Sequence, residues 1–134
     1  MERSTRLLRI AFLAGALTDG LAVVPMLVPE VASLMWGVEK PFGDSILAIG
    51  YGVSLMSGWT VLLLWAYQRP NERRAVAGLT ILVICGLAVA ETIAVFSGSV
   101  AASRMATTWL LQTALLVLFA LPFCYPVVRD QVKK

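Results

Sequence analysis

Apolar residues along this chain gather into four long runs, over 10–29, 45–67, 75–97 and 105–128. Each is about 20 residues long, which at 1.5 Å of helical rise per residue matches a hydrocarbon layer of about 30 Å. Runs of that length predict transmembrane helices. The expected fold class is therefore all-α: an integral membrane four-helix antiparallel bundle, with 1–134 as a single transmembrane domain.

The links between the runs predict how the spans connect. In 30–39, Val31, Leu34, Met35 and Val38 recur at i, i+3, i+4 and i+7, while Glu30, Ser33 and Glu39 fall elsewhere on the wheel. That pattern predicts a short amphipathic helix in the outer interface, with Trp36 at headgroup depth. Pro41-Phe-Gly-Asp44 reads as a turn into the second span. Gln68-Arg-Pro-Asn-Glu-Arg-Arg74 is short enough to be a tight hairpin, which makes spans two and three expected antiparallel neighbours. Residues 97–103 are mostly small.

Two faces look built for helix packing. Phe12, Gly15, Ala16, Asp19, Ala22, Val23 and Met26 share one side of span one, and Gly50, Ser54, Ser57 and Gly58 share one side of span two. Small residues at helical spacing let backbones approach closely, so both faces are expected to be buried.

Composition supports the membrane reading. Hydrophobic residues make up 59% of the chain and charged ones 14%, where a soluble domain carries roughly 25% charge. Of the 11 basic residues, only Lys40 and Arg104 fall on one side of the expected bundle. Arg3, Arg6, Arg9, Arg69, Arg73, Arg74, Arg129, Lys133 and Lys134 fall on the other. By the positive-inside rule both termini and the 68–74 hairpin should be cytoplasmic. The net charge of +3 is thus a topology signal. Split over three flanking positions, it forms no basic face for nucleic acid. The first run extends beyond the h-region of a signal peptide, so it is expected to be a retained span. Histidine is absent, and Cys85 and Cys124 lie at different depths. No metal site, cofactor or disulfide is expected.

The candidate chemistry lies in two carboxylates. Asp19 interrupts the first run and Glu91 the third. A charge at such depth costs at least ~2.5 kcal/mol, so it should face a partner or a bundle interior. From the helical rise, Asp19 lies about 15 Å above Arg9 and Glu91 about 25 Å above Arg74. Tyr51, Ser54 and Gln112 occupy the same middle and outer levels, with Trp109 at the outer interface. Together they predict a polar pocket, with Asp19 and Glu91 as catalytic acid and base. Tyr51, Ser54, Trp59, Trp109 and Gln112 would bind substrate, and the aromatic faces of Trp59, Trp109, Tyr51 and Phe96 would tolerate a cation. A blander reading pairs Glu91 with Arg104 and leaves Asp19 in a local hydrogen-bond network.

The segment Asp19-Gly-Leu-Ala-Val-Val-Pro25 resembles the emopamil-binding-protein-like (EXPERA) membrane proteins. That resemblance implies a compact bundle with cytoplasmic termini and intramembrane acids that bind or isomerise sterol-like molecules. It covers one short segment and the gross topology, and only Asp19 carries over by motif. The sterol isomerases also use a histidine, which this chain lacks, so the resemblance does not extend to double-bond isomerisation. The chain also looks like small bacterial four-helix membrane proteins, which implies a bacterial cell membrane.

The leading expectation is a membrane-embedded pocket for a lipophilic small molecule or lipid, with isomerisation, cyclisation or epoxide opening as its chemistry. Two alternatives stand beside it. One is a proton-coupled exporter, since four spans with an acid in the first resemble the small multidrug-resistance transporters. The other is an accessory or structural membrane subunit, whose polar groups would meet another chain. A homo-oligomer fits any of the three.

Overall fold

The computed structural model describes residues 2–36 and 46–132, with side chains described over 4–35 and 46–124. The described residues are all-α: α1 (Glu2–Leu27), α2 (Pro29–Trp36), α3 (Ile46–Gln68), α4 (Arg74–Phe96) and α5 (Ala102–Val132). Four of these helices are long and apolar enough to cross a membrane, and α2 is the short one. The chain is an integral membrane four-helix bundle. The turn expected at Pro41–Asp44, and the parts played by Val38, Glu39, Lys40 and the Trp36 side chain, lie outside the described residues.

Connections at both ends make the long helices antiparallel. At one end Thr5, in the first turns of α1, exchanges hydrogen bonds with Asn71 in the α3–α4 hairpin (3.2 and 3.0 Å). At the other, Arg104 at the start of α5 donates to the carbonyl of Leu34 in α2 (3.2 Å). Arg104 thus ties two helix ends together and does not form the ion pair with Glu91 that its position suggested.

The lateral order differs from the order in sequence. α1 is the central helix, packed most extensively on α3 and also on α5, and α5 in turn carries α4. α3 and α4 touch only sparsely, although a five-residue link, 69–73, joins them. A short hairpin makes two helices antiparallel, yet their side chains decide which neighbour each packs on.

The core gathers toward the arginine-bearing end. Leu8, Ala11, Phe12 and Ala16 of α1 meet Leu63 and Ala66 of α3, Val76, Ala77 and Ile84 of α4, and Phe119 of α5. Phe12 and Phe119 stack edge to face at 5.9 Å between centroids, the geometry their quadrupoles favour. Gly15 makes that meeting close: a methyl group there would stand 3.0 Å from Phe119 and 3.2 Å from Leu63. The small face of α1 is buried at Phe12, Gly15 and Ala16, as its spacing predicted.

The small face of α3 is not. Gly50, Ser54, Ser57 and Gly58 are all exposed, and a methyl group added at either glycine would meet no atom of the described residues within 4 Å. α3 instead turns Leu63 and Ala66 inward. Between α4 and α5, Gly98 adopts φ +75°, which lets Ser99 and Gly98 donate to the carbonyls of Ala94 and Val95 (3.0 Å each). This is the Schellman arrangement, and it needs a residue without a Cβ.

Candidate functional site

Polar groups in the spans divide into those that satisfy themselves and those that do not. The hydroxyls of Thr18, Thr60, Thr80, Thr92 and Thr113 each donate to the carbonyl four residues back, at 2.9, 2.9, 2.8, 2.6 and 2.8 Å. Such back-bonding meets the need of a hydroxyl in hydrocarbon without a partner helix. These residues therefore mark no site.

Glu91 is the exception. The side-chain amide of Gln112, on α5, donates to its Oε1 at 2.8 Å. The Trp109 indole, one turn earlier on α5, lies beside the same carboxylate. Gln112 is buried and Glu91 half-buried. Glu91 Oε2 and Gln112 Oε1 are shielded from solvent without a hydrogen-bond partner, as is Trp59 Nε1 on α3. This contact links α4 to α5 across the less densely filled half of the bundle.

The remaining predicted site residues do not join it. Asp19 is half-buried on α1. Tyr51 (64% exposed), Ser54 and Phe96 (87% exposed) point away from the bundle, while Trp59 is half-buried against the core. Among the described residues no hydrogen bond joins Asp19 to Glu91, and α1 and α4 touch only sparsely while α5 packs against both.

This arrangement overturns the pocket reading. Among the described residues no Asp, Glu, Lys or Arg side chain is buried, the buried polar ones being Thr80 and Gln112. The described helices enclose no pocket around the predicted residues. The interior is filled instead by Leu8, Phe12, Leu63 and Phe119. An acid–base isomerase, cyclase or epoxide-opening enzyme built on buried intramembrane carboxylates is therefore ruled out as a description of this site. Among the described residues no three His, Cys, Asp or Glu side chains are grouped to hold a metal ion, and Cys85 and Cys124 are free and exposed.

The arginine-bearing end holds contacts that span patterning does not foresee. Arg73 lies over the Trp65 ring, 3.5 Å from its centroid, and donates to the Trp65 carbonyl. Arg74 approaches the Phe123 ring at 5.3 Å, its Nε shielded and without a hydrogen-bond partner. Arg69 pairs with Glu72 at 3.3 Å in the exposed hairpin. Such pairs contribute little to stability. The available signal was an aromatic residue eight positions before an arginine, across a turn tight enough to fold back. Compared with protein-family models, with curated proteins and with solved structures, the chain matches none, so the likeness of Asp19–Pro25 to the EXPERA proteins gains no support and the chain stands as a four-span membrane bundle.

Proposed function

We propose that this protein is a non-catalytic membrane subunit that works by lateral contact between helices inside the bilayer. The observation that carries this reading is the outward face of α3. Gly50, Ser54, Ser57 and Gly58 form a strip of small residues at helical spacing, all four exposed among the described residues. Flat strips of small residues allow another helix to approach closely, and association in lipid is driven by such packing and by interhelical hydrogen bonds. Ser54 and Ser57 would supply the hydroxyls.

The dense packing around Phe12, Leu63 and Phe119 favours a subunit over an exporter, because a carrier needs a chamber between its helices. In this reading the arginine-bearing end faces the cytoplasm of a bacterial cell, following the charge bias. The partner is a second copy or another spanning chain.

Cysteine scanning along α3 tests it, in a chain with Cys85 and Cys124 replaced by serine. Crosslinks from positions 50, 54, 57 and 58, with none from the opposite face at 52 and 56, are expected in native membranes. Equal reaction of all six positions with a lipid-phase thiol reagent, and no crosslink, would refute the proposal.

A further inference from the structure

We propose that the arginine-bearing end of the bundle binds the headgroup of an anionic phospholipid, seated between the first turns of α1 and the α3–α4 hairpin. Five arginines, Arg6, Arg9, Arg69, Arg73 and Arg74, lie at that end. Arg6 and Arg9 are exposed and one turn apart on α1. The hydrogen bonds of Thr5 to Asn71 hold that turn beside the hairpin carrying Arg69, Arg73 and Arg74. Arg9 lies one turn along from Thr5, so it flanks the same side. Of the acids in and beside this hairpin, Glu72 is already engaged by Arg69. Among the described side chains at this end, the four arginines outside that pair leave a positive excess.

Two arginines are pre-ordered. Arg73 is held over Trp65 and anchored on its carbonyl, and Arg74 is held toward Phe123. Guanidinium groups fixed in this way lose less freedom on gripping a phosphate, and their planar forks suit its oxygens. Among the described residues no side chain caps the start of α4; Val76 N–H bonds to the Arg73 carbonyl, which leaves the amides of Arg74 and Ala75 as donors at the same level.

A lipid phosphate fits better than a free one. Leu7 (39% exposed) and Ile10 (55% exposed) adjoin Arg6 and Arg9 on α1, and Trp65 is 48% exposed beneath Arg73. Acyl chains attached to the bound phosphate would lie along this apolar surface. A free anion would leave it uncovered.

The test uses the full chain in neutral detergent, with phosphatidylglycerol, phosphatidylcholine and inorganic phosphate as probes. Native mass spectrometry reads bound lipid, and circular dichroism reads the fold. Phosphatidylglycerol should be retained in preference to phosphatidylcholine, and added salt should weaken its binding. The Arg6→Gln/Arg9→Gln variant removes two exposed groups and leaves the Arg73 and Arg74 contacts in place. A basic residue near an anionic surface is worth roughly fivefold in affinity, so this variant should bind phosphatidylglycerol about 25-fold more weakly. Its helical signal should match wild type. Equal retention of the two lipids overturns the proposal, as does a variant that binds like wild type. Displacement of phosphatidylglycerol by millimolar inorganic phosphate would also overturn it, by marking a site for a free anion.

Discussion

Gln112 is the residue on which the α4–α5 contact depends. Its amide reaches Glu91 at 2.8 Å from a buried position. Hydrogen bonds between membrane helices average about 0.6 kcal/mol and reach about 1.7. Gln112→Leu should therefore destabilise the bundle by about 1 kcal/mol in denaturant titrations in detergent. A double-mutant cycle with Glu91→Leu should recover a coupling of that size. The same cycle between Glu91 and Arg104 should give no coupling, because Arg104 is committed to Leu34. A coupling larger for Arg104 than for Gln112 would reverse the assignment. That Glu91 and Gln112 stand at similar depth can be read from the chain, since both follow from counting helical rise. That Gln112 rather than Arg104 is the partner cannot. It depends on which side of α4 meets α5, and a helix apolar on every face does not announce its rotation.

Each helix is placed by the few positions where its neighbours come close. Gly15 meets two large side chains, while Gly58 meets nothing within 4 Å. Gly15→Leu should thus overpack the α1–α3–α5 contact and destabilise the protein by roughly 1–3 kcal/mol. Gly58→Leu should leave the melting temperature of the monomer in detergent unchanged while weakening any lateral association through α3. If Gly58→Leu lowers the monomer's melting temperature as far as Gly15→Leu does, α3 is turned the other way. At the α4–α5 link, Gly98→Ala should cost about 1–2 kcal/mol, since a Cβ is disfavoured at φ +75°; an unchanged thermal midpoint would contradict this. The positions of the long helices are legible in the hydrophobic runs. The inward side of α3 is not, because small residues mark any close helix contact, within a chain or between chains. Gly50, Ser54, Ser57 and Gly58 carry that signal without saying which kind it is.

The whole molecule is ordered laterally as α3, α1, α5 and α4, with α1 and α5 at its centre. Antiparallel crossing puts residues 71 and 99 on opposite membrane faces. Single cysteines at these positions, in a chain lacking Cys85 and Cys124, should be labelled by an impermeant reagent from opposite sides. Labelling of both from one side would break the bundle topology. The hairpins set the crossing directions, which are readable from Arg69–Arg74 and its counterparts, while charge bias supplies an expected orientation. Lateral order is not readable in this way. It emerges from Phe12, Leu63 and Phe119 finding one another across separate helices.

That order bears on how the chain is made. α3 can dock on α1 as soon as it emerges, since its main neighbour is already in place. α4 follows α3 out of the ribosome but packs chiefly on α5, which has yet to be synthesised. For that interval α4 must reside in lipid with little more than its hairpin attachment to hold it. It is equipped for this, being the most apolar of the four spans. Its exposed Thr92 bonds its own backbone, so Glu91 is the group left waiting. The arrival of Gln112 gives that carboxylate its amide, and assembly of this bundle finishes only after the last span has been translated.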